Sequence, residues 1–192
     1  GGTLLLQTGL ISGSGNLLVN PDTANTTGKL QIDSTSNNYT GTTSIYAGIL
    51  QVKSLANASL VSSVGNPTSK VITLGNTNIA ATVIYNNSAG QTSTSTFTIG
   101  GTGGGVIQSD AGALILNAAS NAISTVSTKN ATLNANGGSI EINGGTAGIS
   151  GAGNIAINST GSGTVKFSGT NTYSGTTNIS GGILWLSSAG SL

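Results

Sequence analysis

The chain has no cysteine, no histidine and no arginine among its 192 residues. Without cysteine, neither a disulfide framework nor a thiolate metal site is available. Without histidine as well, the commonest general base and the thiol nucleophile are both missing. Charge of either sign is scarce: the only cations are Lys29, Lys53, Lys70, Lys129 and Lys166, and the only anions are Asp22, Asp33, Asp110 and Glu141, for a net charge of +1. That balance excludes electrostatic capture of nucleic acid, which needs several clustered cations against phosphate. It equally excludes a polybasic membrane anchor. No apolar run approaches the roughly 20 residues of a membrane-spanning helix, so no direct membrane insertion of this segment is expected. The opening Gly1-Gly2-Thr3 lacks the basic stretch of a signal peptide. These features lead to the expectation of a segment from a longer protein.

Polarity comes instead from 27 Ser, 28 Thr, 21 Asn and 31 Gly. Disorder is disfavoured nonetheless. Leu, Ile, Val and Phe make up about 24% of the chain, above the roughly 20% below which disorder is expected, and the high net charge that accompanies disorder is absent. The apolar residues recur at period two in short bursts closed by Gly, Asn or Ser. Examples are Leu30-Gln31-Ile32, Leu50-Gln51-Val52, Leu114-Ile115-Leu116, Ile140-Glu141-Ile142 and Val165-Lys166-Phe167. Alternation of this kind puts one set of side chains on one face of a strand. No helical spacing is sustained over three turns, so the chain is all-β with no helices expected.

An internal repeat sets the architecture. Tyr39-Thr40-Gly41-Thr42-Thr43-Ser44-Ile45-Tyr46-Ala47-Gly48-Ile49-Leu50-Gln51-Val52 aligns without a gap on Tyr173-Ser174-Gly175-Thr176-Thr177-Asn178-Ile179-Ser180-Gly181-Gly182-Ile183-Leu184-Trp185-Leu186. Each unit reads strand, Asn-rich turn, Tyr-x-Gly-Thr-Thr, strand, Gly, strand. Strands this short bury too little to stand alone. Stacked as coils they pair above and below at about 4.8 Å and merge their inward side chains into columns. Glycines supply the corners, and asparagines there stack their amides from coil to coil.

The two units resemble the autotransporter-associated β-strand repeat. Gly163, Val165, Phe167, Gly169, Asn171, Tyr173, Gly175, Thr177, Ile179, Gly182, Leu184 and Leu186 fall on its pattern. The first copy departs from it at Ser34-Thr35-Ser36 and carries Ala47 where the second has Gly181. The units span 28–60 and 163–192, about a third of the chain. The resemblance implies a right-handed parallel β-helix over 1–192, a single solenoid segment. At roughly 20–25 residues per coil it would have eight or nine coils. It also implies a passenger segment of a bacterial surface adhesin, extracellular and exported past an outer membrane, with a membrane barrel beyond the segment.

Candidate chemistry is thin, and no enzyme activity is expected. No catalytic, cofactor-binding or metal-binding residue is assigned, and no cofactor. Glu141 and Lys166 lie about one coil length apart and are placed to stack on neighbouring coils as a surface ion pair. Asp22 and Asp33 are expected on different faces. Gly151-Ala152-Gly153-Asn154-Ile155-Ala156 matches a dinucleotide fingerprint in form but lacks the helix and the acid that should follow. Gly100–Gly105 lacks the Gly-Lys-Ser/Thr ending of a phosphate loop, and Asp110 lacks calcium-repeat spacing. These glycines are assigned to corners or a loop. Sequons at Asn25, Asn38, Asn57, Asn86, Asn130, Asn158 and Asn178 are about as many as this composition produces by chance. Tyr39 and Tyr173 share a repeat position, which favours packing, whereas Trp185 points outward by alternation and is a candidate contact for a glycan or host-surface partner. The first and last strands read as uncapped edges, which admits end-to-end or lateral self-association. The alternative function is therefore a self-assembling subunit of an extracellular fibre or sheath. A carbohydrate-active β-helix enzyme is the third reading, and it would need a carboxylate pair about 5–10 Å apart at a groove.

Overall fold

A computed structural model of the protein describes residues 2–20, 27–76, 78–126, 129–187 and 192. The bursts of alternating residues form strands, and no helix occurs among the described residues. All pairing between these strands is parallel. Numbered along the chain, the strands stack on three faces. Face 1 carries β1 (Thr3–Leu6), β3 (Lys29–Ile32), β5 (Gly48–Val52), β7 (Ala81–Asn86), the first half of β10 (Gly105–Leu116), β12 (Ala131–Ala135), β15 (Ile155–Asn158) and β17 (Thr177–Gly181). Face 2 carries β8 (Gln91–Ser93), the second half of β10, β13 (Gly138–Ile142), β16 (Thr164–Phe167) and β18 (Ile183–Leu186). Face 3 carries β2 (Leu17–Val19), β4 (Thr43–Ile45), β6 (Val71–Leu74), β9 (Thr96–Ile99), β11 (Ile123–Thr125) and β14 (Ile149–Gly151).

From β7 to β14 the chain visits strands of faces 1, 2 and 3 in turn. The first three circuits have no described strand on face 2, and the circuit from β15 to β17 has none on face 3. Climbing one rung per circuit, the chain makes a β-solenoid of about seven turns. Successive rungs on face 1 are Thr3, Lys29, Ile49, Thr82, Val106, Thr132, Ala156 and Asn178. Most circuits take about 20–26 residues, within the usual range of solenoid repeats. The circuit from Ile49 to Thr82 is markedly longer, which brings the count slightly below the eight or nine expected. At one rung per turn the stack is about 34 Å tall.

Period-two alternation becomes columns. Leu4, Leu30, Leu50, Val83, Ile107, Leu133, Ile157 and Ile179 lie in register up face 1. Leu114, Ile140, Val165 and Leu184 do so on face 2, and Ile72, Phe97, Ile123 and Ile149 on face 3. Side chains from Leu50 to Ile157 in the first column are buried, each contributing about 1.5–3 kcal/mol. The columns meet in one continuous hydrophobic core. In β10 the chain turns from face 1 to face 2 without leaving strand geometry. Its register shifts between Ser109 and Ala111, and Gly112 follows at φ +67°, where a side chain would also strike the carbonyl oxygen of Asn87.

The long circuit carries an excursion over residues 53–70. It is held by hydrogen bonds to the coil above: the Leu55 amide donates to Gln91 Oε1 at 2.6 Å, Ala58 to Thr94 Oγ1 at 3.1 Å, and Thr94 to Asn57 Oδ1 at 3.0 Å. Leu55 and Val64 turn inward and join the core.

Candidate interaction surface

The outward positions of the three faces are where this fold can meet another molecule, since the interior is filled. Face 2 concentrates the most varied chemistry. Glu141, Lys166 and Trp185 occupy one outward column on consecutive rungs of β13, β16 and β18. Glu141 and Lys166 meet there as the spacing anticipated, at 3.2 Å. Ser168 Oγ donates to Glu141 Oε1 at 2.6 Å, and the Lys166 ammonium lies 5.5 Å from the centre of the Trp185 ring. Trp185 is 59% exposed, so alternation placed it correctly. A pair as open as Glu141–Lys166 adds about 0–1 kcal/mol. Beside this column residues 136–139 and 160–164, where the chain enters β13 and β16, line an open, hydroxyl- and backbone-lined cleft of about 480 Å³.

The other charged groups are dispersed. Asp33 faces Lys53 at 3.8 Å and accepts from Gln31 Nε2 at 3.1 Å. Asp110 accepts from Gln108 Nε2 at 2.7 Å. Asp22 lies outside the described residues, as does the sequon Asn25. No group of three or more acids that would hold a metal occurs among the described residues. The glycine motifs behave as corners. Gly151 (φ +103°) ends β14 and the chain runs directly into strand β15. Gly101 and Gly103 lie hard against the backbone of Asn76 and Ile79, so no open cradle forms there. Of the described sequons, Asn38, Asn57, Asn130, Asn158 and Asn178 are exposed and Asn86 is half-buried.

Lys70 is the feature that sequence reasoning missed. Only 3% exposed, it sends its ammonium into the excursion and donates to the carbonyls of Ala56 (3.0 Å), Asn57 (3.3 Å) and Leu60 (3.0 Å) and to Ser62 Oγ (3.0 Å). Burial lowers its pKa to about 8, still above neutrality, so the cage holds a cation at pH 7. The knot thrusts Leu60 and Val61 into solvent, an exposed apolar pair on the side of the stack. The sequence offers one signal, a circuit overlong between two face-1 bursts.

At the two repeat corners Tyr39 and Tyr173 are buried, and each hydroxyl pairs with the threonine four residues on, Tyr39 with Thr43 at 2.7 Å and Tyr173 with Thr177. Burial raises the Tyr39 phenol to about 12 against the counteracting Thr43 hydrogen bond. The asparagine stacking expected at corners is present: Asn154 Nδ2 donates to Asn130 Oδ1 one coil below at 3.2 Å.

Comparison with known proteins agrees with the resemblance seen in the sequence. Residues 27–52 and 159–186 match the family model described as the passenger-associated-transport-repeat. No curated protein and no solved structure matches the chain. The chain thus carries two passenger-type repeats, each built as coils of one solenoid.

Proposed function

We propose that this chain is a stalk segment of an autotransporter-type passenger, a stiff extracellular β-solenoid whose side faces carry the adhesive contacts. The observation that supports this most is the continuity of the two passenger-type repeats with the coils between them, in one unbroken core. A solenoid needs no single catalytic pocket, and its outward positions can vary while the inward columns keep the fold. Absence of cysteine suits a chain exported unfolded through an oxidising compartment. On this reading the segment has no catalytic activity and no cofactor. Its contact surface is the side of the rod, where the Trp185–Lys166–Glu141 column and the Leu60–Val61 pair stand out. A glycan ring stacked on Trp185 and hydrogen-bonded to its charged neighbours, or a host-surface protein, is the partner class.

A second reading, a self-assembling fibre or sheath subunit, is favoured by the nearly uncharged Thr-, Asn- and Gly-rich faces, which offer little repulsion to lateral packing. Two measurements separate the readings. Antibody against this chain, applied to intact cells that express the whole protein, is expected to label the surface, and labelling only after lysis would defeat the passenger reading. Sedimentation of the purified chain over a wide concentration range is expected to stay at the 18.6 kDa monomer. Growth into large assemblies would establish the fibre reading instead.

A further inference from the structure

The two family-matched segments are not self-contained in the structure: each is latched onto a coil that precedes it. Under the first corner runs Ile11-Ser12-Gly13-Ser14-Gly15-Asn16, and under the second runs Ile149-Ser150-Gly151-Ala152-Gly153-Asn154. Both lie outside the matched spans 27–52 and 159–186. They share Ile-Ser-Gly-x-Gly-Asn, but out of step with the corners above them. The shift that carries Tyr39 onto Tyr173 carries Ile11 onto Gly145 and not onto Ile149.

The hydrogen bonds across each pair of coils coincide. The Ile11 amide donates to Asn37 Oδ1 at 2.9 Å, and Ile149 to Asn171 Oδ1 at 2.9 Å. Asn38 donates to the Ile11 carbonyl at 3.0 Å, and Thr172 to Ile149 at 2.8 Å. Thr40 donates to the Gly13 carbonyl at 2.9 Å, and Ser174 to Gly151 at 2.9 Å. Thr42 donates to Asn16 Oδ1 at 2.9 Å, and Thr176 to Asn154 Oδ1 at 3.0 Å. Leu17 and Ile155 return the bond to the carbonyls of Thr42 and Thr176 at 2.8 and 2.9 Å. A Cβ on Gly41 or Gly175 would strike the carbonyl oxygen of Gly15 or Gly153, so the glycine in Tyr-x-Gly-Thr-Thr marks the closest approach of the two coils.

The latch is also independent of face. The first corner, at 38–40, follows β3 of face 1 and leads into β4 of face 3, while the second, at 172–174, follows β16 of face 2 and leads into β17 of face 1. The second copy is therefore set one face further round the solenoid, with every contact kept.

We propose that the working unit of this repeat is two coils, a Tyr-x-Gly-Thr-Thr corner and the Ile-Ser-Gly-x-Gly-Asn platform beneath it, which together fix coil-to-coil register. A one-residue slip would expose the inward column and is blocked by hydrophobicity alone, but a two-residue slip preserves inside and outside. With few charges to oppose it, such a slip is opposed by groups that find a partner in one register only. The buried Asn37 and Asn171 are such groups, because a slip over the platform breaks the bonds their Oδ1 atoms accept from the Ile11 and Ile149 amides. The platform asparagine supplies the second fixed point.

Wherever the protein is displayed, hydrogen exchange of the purified chain tests this two-coil unit. Asn16 is exposed, so Asn16→Ala leaves the core untouched. The Thr42 amide should then exchange about tenfold faster, as should Leu17 beside it, with the middle coils unchanged. Asn16→Asp keeps the acceptor oxygen and should restore protection, and the same pair of variants at Asn154 should act on Thr176. No acceleration at Thr42, equal acceleration in every coil, or failure of the aspartate variant to differ from alanine would overturn the proposal.

Discussion

The two repeat copies share their local hydrogen bonds and differ in what covers them. Above the first, the excursion closes down on the corner: Asn66 donates to the Tyr39 carbonyl at 3.0 Å, Ser62 to the Asn37 carbonyl at 3.3 Å, and Asn37 Nδ2 to the Ser63 carbonyl at 3.2 Å. Above the second no described coil lies. Ile45 in the first copy is fully buried, while its counterpart Ile179 is 52% exposed. The identical latch in both copies shows that the corner geometry is set by the motif and its platform. Burial, by contrast, comes from the neighbours, and so should most of the difference in stability.

The largest test of that division is Ile45→Ala against Ile179→Ala. The first should cost about 2–5 kcal/mol through transfer and cavity terms. The second removes a half-wet side chain and should cost about 1 kcal/mol or less. Denaturant unfolding of the two variants measures both, and equal losses would break the comparison. Next in size, Gly41→Ala and Gly175→Ala each drive a methyl into a carbonyl of the platform coil and should each cost about 1–3 kcal/mol, alike in the two copies.

Titration sharpens the contrast further, since the covered copy and its excursion hold two perturbed groups, Tyr39 and Lys70. Lys70 loses its proton near pH 8 when folded and near 10.5 when unfolded. Between those values the unfolded chain binds the extra proton, so stability should rise with pH through that window relative to a Lys70→Met variant. Tyr39 acts in the opposite sense. Its phenol ionises near 12 when folded and near 10 when unfolded, so stability should fall as pH climbs above 10. Unfolding midpoints measured across this alkaline range report both slopes. The smallest expected effect is Glu141→Gln on face 2, at most about 1 kcal/mol and weaker still at high salt. It should nevertheless shift Trp185 fluorescence by freeing the Lys166 ammonium that lies against the ring.

How much of this was legible follows from the kind of interaction involved. Alternation is local, so the all-β class, the inward columns and the outward Trp185 could be read directly. The Glu141–Lys166 pair was legible because a single circuit, from β13 to β16, separates its two members. The Lys70 cage was not, because three of its acceptors are backbone carbonyls, which leave no mark on the sequence. The platforms at Ile11 and Ile149 escaped for a different reason. They are out of step with the corners, since Ile11 falls on Gly145 when Tyr39 is laid on Tyr173. A single gapless alignment of the repeat therefore passes over them. Only the stacking of coils brings the two halves together.

The second copy is turned by one face relative to the first, and engineered cysteine pairs in this cysteine-free chain test that rotation most directly. Asn178 stands over Ala156 on face 1, whereas its counterpart Ser44 stands over Leu18 on face 3. Strand neighbours about 4.8 Å apart are within disulfide reach. Asn178→Cys should therefore oxidise rapidly with Ala156→Cys and remain reduced with Ser150→Cys on face 3. Ready cross-linking of 178 to 150, with none to 156, would contradict the rotated stack and the register assigned to the second repeat.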